Sequence, residues 1–213
     1  MTLYFRLIVM FLLLAVQVQA HEDHPWQAEV ELGLTLREPE FADLGSDSQT
    51  DYFRSGFSAG LEFGYRVLPW LTPYVSVQYL QNRLEYLSAS NIVAGRGTDN
   101  AIVALANASF EWQWEILRPF IAGGVGFGHL ETHQESEDGA ISLSGDQIAF
   151  AWQASVGLRV QIIPVLFLGL SYQFLNIVGP KFDIQVNDQL YANASKENAN
   201  MYHNLRIQLG ANF

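Results

Sequence analysis

Met201 to Phe213 reads MYHNLRIQLGANF, and its residues alternate between two chemical classes. The odd positions carry Met, His, Leu, Ile, Leu, Ala and Phe, whereas the even positions carry Tyr, Asn, Arg, Gln, Gly and Asn. Successive side chains of a β-strand point to opposite faces of the sheet. The stretch is therefore predicted to be a strand with one apolar face and one face of amide and guanidinium groups. A strand of a soluble sandwich has the same pattern, so the fold depends on how often the pattern recurs.

The same period of two recurs in seven further segments, which is typical of β-strands rather than helices. The predicted strands are Trp26–Arg37, Phe53–Val67, Leu71–Asn82, Ile102–Ile116, Phe120–His129, Ile148–Gln161 and Leu166–Phe174. Long connections fall at residues 38–51, 84–100, 131–146 and 177–199. Short turns with Pro69, Pro119 and Pro164 separate the other strands, so long and short connections alternate.

This alternation distinguishes a membrane barrel from a soluble one. Bacterial outer-membrane barrels have long outer loops and short periplasmic turns, whereas a soluble barrel or sandwich has no reason to place every long loop at one end. Lipid also requires a closed sheet, because each unpaired backbone amide in hydrocarbon costs several kcal/mol. We therefore predict an all-β fold, an eight-stranded antiparallel up-and-down transmembrane β-barrel with both chain ends on the periplasmic side.

The first 20 residues have the composition of a cleavable signal peptide. Arg6 supplies the charged region, residues 7–16 are apolar, and Val18 and Ala20 place small residues before the expected cleavage site. A single membrane anchor is the alternative, but the apolar run is shorter than the ~20 residues of a spanning helix. The predicted organisation is a signal peptide at residues 1–20 and one outer-membrane barrel domain at residues 21–213.

Charge and cysteine content limit the expected partners. The chain has 11 Lys and Arg against 22 Asp and Glu, which gives a net charge of −11 at pH 7. Such an acidic protein is not expected to bind nucleic acid, because binding to phosphates needs a basic surface. There is no cysteine, so an exported domain of this sequence must be stabilised without disulfides. After residue 20 no apolar run reaches the length of a transmembrane helix.

Three features indicate that the apolar rows face lipid and the polar rows face the lumen, rather than the reverse arrangement of a soluble lipocalin-like barrel. The polar rows are rich in Gly, Ser and Gln, which suit a crowded eight-stranded interior. Lysine is nearly absent from the strands, although a water-facing row would carry it. Aromatic residues lie at the ends of the apolar rows, as in interfacial girdles. The girdle candidates are Trp26, Tyr65, Trp70, Trp112, Trp114, Tyr172 and Phe213.

Charges of both signs lie on the rows predicted to face the lumen. Buried charges need partners, and the planar guanidinium of Arg suits such pairing. The sequence therefore predicts a structural charge network inside the barrel. Its members are Glu29, Glu31, Glu62, Glu111, Glu115, Arg54, Arg66, Arg159 and Arg206, and Arg37 lies on the same rows.

Residues 65–74, YRVLPWLTPY, and residues 118–128, RPFIAGGVGFG, open strands with a turn, a proline and an aromatic residue, and the second continues with alternating glycines. With the terminal Phe213, these segments resemble the small eight-stranded outer-membrane barrels of the OmpA/OmpX and opacity-protein type. The resemblance covers residues 26–213. It implies contact with outer-membrane lipid and lipopolysaccharide, and recognition of Phe213 by the barrel assembly machinery. Unlike OmpA, the chain stops at the barrel, so no peptidoglycan-binding domain is expected.

A structural or surface-interaction role is the first hypothesis for function, because a filled lumen leaves the external loops as the active surface. Two of these loops are acidic. Their acids are Glu38, Glu40, Asp43, Asp47 and Asp51 in the first, and Glu131, Glu135, Glu137, Asp138 and Asp146 in the third. They either hold divalent cations shared with lipopolysaccharide phosphates or form a solvated acidic surface.

Two further hypotheses stay open. An enzyme that modifies lipid A needs a base such as His203, but no nucleophile accompanies His203 in sequence. A narrow OmpW-like conduit for small molecules needs an apolar lumen, whereas the inward rows are polar and charged. The other histidines, His129 with His133 and His21 with His24, are weak metal candidates. No catalytic residue, metal site or cofactor is assigned, and no enzymatic activity is expected.

Overall fold

The computed structural model describes residues 25–38, 40–43, 48–53, 55–89, 95–136, 141–178, 181–186, 189–195 and 200–213. The predicted signal peptide, His21, His24 and Arg54 lie outside these ranges. The strands are β1 (Trp26–Arg37), β2 (Glu40–Asp43), β3 (Ser48–Phe53), β4 (Gly56–Tyr65), β5 (Leu71–Ala89), β6 (Gly95–Glu111), β7 (Leu117–Ser136), β8 (Ile141–Ile163), β9 (Leu166–Ile177), β10 (Lys181–Val186), β11 (Gln189–Ser195) and β12 (Asn200–Asn212). In the part of the chain so described, no helix is long and apolar enough to cross a membrane.

Eight of these strands close into a barrel, which confirms the predicted fold. Antiparallel pairing runs in the order β8, β7, β6, β5, β4, β1, β12 and β9, and pairing of β8 with β9 completes the cylinder. The seam between the first and last strands extends from the pair Gln27 and Asn212 to the pair Arg37 and Tyr202. Because the sheet is closed, every wall strand has two hydrogen-bonded neighbours. A sheet in hydrocarbon needs this, since an unpaired strand edge would leave backbone groups without partners.

The two faces of the wall differ as the alternation predicts. On β12, Leu205, Ile207 and Leu209 point outward and are all more than half exposed, whereas the intervening Arg206 and Gln208 are 1% exposed. A soluble barrel would bury the apolar row and expose the polar one. The observed distribution therefore excludes the lipocalin-like alternative.

Short turns and aromatic side chains mark one end of the cylinder, which we call the turn end. The chain termini of the barrel meet there, since Trp26 N donates to Phe213 O at 3.0 Å and Phe213 N donates to Trp26 O at 2.9 Å. Trp26 stacks on Phe63 with ring centroids 5.3 Å apart and meets Tyr65 edge-on at 4.8 Å. Trp70 stacks on Phe110 at 5.9 Å. This ring forms one interfacial girdle.

At the opposite end, which we call the open end, the strands are longer than the sequence predicted. Residues 84–100 and 131–146 were expected to be loops, yet β5 continues to Ala89, β6 begins at Gly95, and β7 pairs with β8 as far as Glu135 and Ser142. A hydrogen-bonded ladder continues wherever two neighbours stay extended. Outside a membrane neither face must be apolar, so the period of two fades from the sequence while the strands persist.

Two hairpins extend this sheet further. The predicted loops at residues 38–51 and 177–199 contain the pairs β2–β3 and β10–β11. β3 pairs with the end of β5, where Gln49 lies opposite Ala89, and β10 pairs with β8, where Asp183 lies opposite Ser144. The open end is therefore an extended sheet rather than four unstructured loops.

Glycine at position 126 allows β7 to lie close to β6, and this gives a testable prediction. A Cβ on Gly126 would lie 2.0 Å from the carbonyl oxygen of Ala104 and 2.9 Å from Leu105 Cα. Because both atoms belong to the backbone, Gly126→Ala is expected to destabilise the barrel by about 1–3 kcal/mol. Urea unfolding in lipid vesicles measures the loss.

Gly123→Ala is the matched control on the same strand, since its Cβ would meet its nearest atom at 3.5 Å. Its unfolding midpoint should stay at that of the unmodified protein. Equal stability of the two variants would show that the approach of β7 to β6 does not require glycine.

Candidate functional site

The lumen is the best-defined polar site, and its first layer near the turn end is charged. Arg159 on β8 lies between two carboxylates from non-adjacent strands: its Nη2 donates to Glu29 Oε1 at 2.6 Å, and its Nη1 donates to Glu111 Oε1. The Arg159 guanidinium also stands over the Phe120 ring, 4.1 Å from the centroid. These contacts join β1, β6, β7 and β8 across the bore.

A second arginine completes this charged layer. Arg206 Nη1 on β12 donates to Glu31 Oε2 at 2.6 Å and lies 3.8 Å from Glu62 Oε1. The side chains of all three residues are almost completely buried. Paired charges of this kind avoid the large cost of an isolated buried charge. Arg66 is also buried and reaches Asn212 Oδ1 at 3.5 Å, close to the turn end.

One predicted member of the network lies elsewhere. The alternation predicts that Glu115 lies on an inward row of a strand that runs to Ile116, but β6 ends at Glu111. Glu115 lies in the exposed turn that follows, with a φ of 54°. Trp114 and Leu117 exchange backbone hydrogen bonds across that turn. The alternation continued past the true strand end because tryptophans of the girdle happen to fall on every second residue.

The next layer toward the open end consists of amides. Gln173 Nε2 on β9 donates to Gln78 Oε1 on the opposite strand β5 at 3.0 Å, and Gln78 Nε2 donates to Gln153 Oε1 at 3.2 Å. Asn204 Nδ2 donates to Gln173 Oε1 at 2.7 Å, and Gln153 Nε2 donates to Asn107 Oδ1 at 2.6 Å. Amides from opposite walls are in direct contact, so side chains span the bore at this level.

The third layer is apolar, which the sequence prediction of a polar lumen did not include. Its side chains point inward beyond the amides and are buried. The layer comprises Leu80, Ala101, Val103, Leu105, Leu130, Ala149, Ala151, Leu175, Ile177 and Tyr202. The signal was present in residues 101–106, AIVALA, where both alternating rows are apolar. Such a run fits a strand buried on both faces, here by lipid outside and packed side chains inside.

A buried ion pair closes the lumen above the apolar layer. Arg37 on β1 forms a salt bridge with Asp99 on β6, and both side chains are 1% exposed. Arg37 also donates to Asn200 Oδ1 and lies over the Tyr202 ring, 5.5 Å from the centroid. The sequence predicts the inward row of Arg37 but not its partner, because Asp99 falls in a predicted loop.

Successive layers therefore fill the barrel. In the charged layer a cavity of about 10 Å³ is bounded by Glu29, Glu62, Tyr74, Glu111 and Arg159, among others. That is room for about one water molecule.

His203, the candidate base, lies on the outer wall near the open end. Its Nε2 is 2.8 Å from Glu38 Oε1, and its Nδ1 is 2.5 Å from the Tyr172 hydroxyl. The rings of Phe174 and His203 meet edge-on at 5.4 Å. The structure thus gives His203 two polar partners that the sequence did not reveal, because β9 and the end of β1 lie far from β12 in the chain.

Of the remaining histidine candidates, His129 and His133 lie on β7, whereas His21 and His24 lie outside the described residues. His129 Nδ1 lies 3.3 Å from Asp146 Oδ1 on the exposed outer face. In the residues described, no group of three or more His, Cys, Asp or Glu side chains is arranged to hold a metal ion. Of the loop acids, Glu38, Glu131 and Asp146 are exposed, whereas Asp47, Glu137 and Asp138 lie outside the described residues.

Comparisons with solved structures show the same fold. OprG of Pseudomonas aeruginosa superposes with a TM-score of 0.67 at 10% identity, over 92% of this chain and 99% of that one. Neisserial surface protein A gives 0.54 at 14% identity, over 88% and 97%. The outer membrane protease OmpT of Escherichia coli gives 0.55 at 8% identity, over 89% and 97%. A comparison with curated protein sequences returns no match.

A family model assigns the chain directly. The model of the outer membrane protein beta-barrel domain matches residues 7–213, which is nearly the whole sequence. The closed eight-stranded wall and its exposed apolar face agree with that match. The chain therefore belongs to the outer membrane protein beta-barrel domain family and resides in the outer membrane.

Proposed function

We propose that the protein is a non-conducting, non-enzymatic surface-interaction barrel whose working surface is the sheet at the open end. The observation that carries the proposal is the filled lumen, in which Gln173 and Gln78 from opposite strands are 3.0 Å apart. A bore blocked at this level, braced by Arg159 and Arg206 below and by Arg37 above, does not serve as a passage for solutes.

The sheet at the open end supports the second half of the proposal. Long connections of outer-membrane barrels face the cell exterior. Near that end the outward face turns from apolar to polar, as exposed Arg83, Glu131 and Asp146 replace aliphatic residues, and Glu131 lies opposite Asp146 in the β7–β8 register. Strands that continue beyond the lipid present ordered surface to extracellular molecules.

Planar-bilayer recording tests the closed lumen. Purified protein at high KCl concentration is expected to give no unitary conductance steps, because the charged, amide and apolar layers block the bore. An open porin incorporated under the same conditions is the positive control. Reproducible single-channel steps from the unmodified barrel would contradict the proposal.

Shortening the external sheet tests the surface role. In one variant a short turn joins Val178 to Asn200, which removes β10 and β11 while β9 and β12 stay paired. Cells that display the unmodified barrel should be retained on surfaces coated with extracellular-matrix protein, and cells with the shortened barrel should not. Equal retention of the two strains at equal surface expression would count against a role in surface contact.

The enzyme alternative has one observation in its favour, the Glu38–His203–Tyr172 chain of hydrogen bonds near the outer rim. A carboxylate that orients an imidazole, and an imidazole that contacts a hydroxyl, follow the order of a nucleophilic triad. Mass spectrometry of lipid A from cells with the unmodified protein and with His203→Gln separates the alternatives. The proposed surface role predicts identical lipid A in both strains.

The expected partners follow from the location in the membrane. We propose contact of the apolar wall with outer-membrane lipid and lipopolysaccharide, and recognition of the exposed terminal Phe213 by the barrel assembly machinery. Divalent cations at the acidic segments would be shared with lipopolysaccharide phosphates. A calcium titration that leaves the melting temperature of the protein unchanged would contradict cation binding at these segments.

A further inference from the structure

Two glutamates lie directly opposite each other inside the charged layer. Glu29 on β1 is the register partner of Glu62 on β4, and each residue is no more than 5% exposed. Like charges opposite each other on adjacent strands destabilise a sheet. Burial strengthens the repulsion, because water no longer screens it. The pair therefore needs a positive charge close to both carboxylates.

The neighbouring arginines leave one oxygen of each carboxylate without a hydrogen bond. Arg159 and Gln27 both donate to Glu29 Oε1, each at 2.6 Å. Arg206 stays 3.8 Å from Glu62 Oε1, which is beyond hydrogen-bond distance. Among the described residues, Glu29 Oε2 and Glu62 Oε1 are buried and have no hydrogen-bond partner.

The cavity of about 10 Å³ in the charged layer is bounded by both of these glutamates. Gln27 and Ser109 also bound it, and both are at least 96% buried. Within the part of the chain that the structure describes, Gln27 Oε1 and Ser109 Oγ have no hydrogen-bond partner either. Two carboxylate oxygens, an amide oxygen and a hydroxyl oxygen without partners thus belong to residues around one small space.

A single water molecule does not satisfy this set of oxygens. Carboxylate and amide oxygens only accept hydrogen bonds, and the set has three of them. A water molecule has two hydrogens to donate, so one acceptor would remain without a partner. A cation attracts all four oxygens at once.

The charge of the cavity wall also favours a cation. Three carboxylates bound the cavity, and the guanidinium of Arg159 is the only basic group from the described residues that does so. Arg66 and Arg118 are buried as well, but they do not bound the cavity. A positive ion in this space would therefore be attracted by an excess of negative charge.

We propose that this cavity is a binding site for one monovalent cation of the size of sodium. The inference goes beyond the proposed surface role and does not depend on it. Oxygen ligands suit hard cations, and here only two of the four are acidic. Mg²⁺ keeps several of its own waters, and Ca²⁺ takes about six to eight oxygen ligands. A cavity with room for about one water and four unpartnered oxygens fits neither divalent ion.

Urea unfolding at equilibrium tests the inference. The full-length protein is unfolded and refolded with phosphatidylcholine vesicles in sodium chloride or in choline chloride at equal concentration. Choline is too large for the cavity, and equal ionic strength keeps the screening of all other charges constant. At a fixed urea concentration, sodium should raise the ratio of folded to unfolded protein about tenfold once it exceeds its dissociation constant roughly tenfold.

Three variants locate the ion. Glu62→Gln keeps the side-chain size but removes one carboxylate, so it should abolish the difference between the two salts. Ser109→Ala removes a neutral ligand and should reduce the sodium effect without a change of charge. Ser171→Ala is the matched control, because Ser171 is a buried hydroxyl on β9 that does not bound the cavity. It should retain the full sodium effect.

Two results would overturn the site. Equal stability of the unmodified protein in both salts would show that the cavity holds a water or that the carboxylates share a proton. A sodium effect that survives in Glu62→Gln would place the ion elsewhere, for example at the exposed acids. If Glu62→Gln does not fold, the two serine variants decide the question, since equal sodium effects in both would exclude Ser109 as a ligand and the cavity as the site.

Discussion

Arg159→Met is expected to destabilise the folded barrel by about 3–5 kcal/mol, because it leaves two buried carboxylates without their cation. Arg159 donates to Glu29 and to Glu111, and it joins strands that are not neighbours in the wall. Methionine keeps most of the side-chain length but none of the charge. Urea unfolding in lipid vesicles, followed by tryptophan fluorescence, measures the loss.

A triple variant separates lost charge pairing from lost packing. When Glu29→Gln and Glu111→Gln accompany Arg159→Met, no uncompensated charge from this group remains, so most of the lost stability should return. Arg83→Met on the exposed face of β5 controls for the removal of an arginine as such. A triple variant no more stable than Arg159→Met would show that the guanidinium acts by packing against Phe120 rather than by pairing.

Ile207→Arg is expected to cost about 2–4 kcal/mol, since a charge placed on the lipid face near the bilayer midplane must be desolvated. Ile207 is 63% exposed on the outer face, midway between the aromatic girdle and the open end of β12. In water such a substitution would be neutral. The same unfolding assay in vesicles therefore tests whether lipid surrounds the outer face of the barrel at this position.

Leu36→Arg is the matched control, because Leu36 is similarly exposed at 56% but lies one residue from the end of β1. The cost of a charge falls to roughly 0–1 kcal/mol near the interface. A gradient between the two positions is the expected result. Equal effects at both positions would contradict the depth assigned to β12 in the membrane.

Most of the wall could be predicted from the sequence because lipid imposes one rule on every residue of it. Outward positions must be apolar, and the next residue faces the lumen, so Leu205, Ile207 and Leu209 define both a strand and its orientation. The same rule predicted the inward glutamates and arginines of the charged layer. The alternation no longer marks the strand ends at Glu115 and beyond Asn82, and there the predicted strand ends were wrong.

The upper lumen and the open end could not be predicted because no such rule applies there. Residues 101–106 are apolar on both faces, which hides the alternation that identifies an inward side. Residues 84–89 and 95–100 continue β5 and β6 at the open end, and their sequence carries no apolar row. The backbone of these strands is held by hydrogen bonds to neighbouring strands, and such pairing depends little on amino-acid composition.

By itself the sequence determined that eight strands cross the membrane and which face of each strand is apolar. Both follow from a period of two, which is a local property of the chain. Only the tertiary structure decided which inward side chains meet. Arg159 reaches Glu29 across 130 residues of chain, and Arg37 reaches Asn200 across 163. Strand tilt and register in the closed cylinder set those pairs, and both arise from closure of the whole sheet rather than from any one strand.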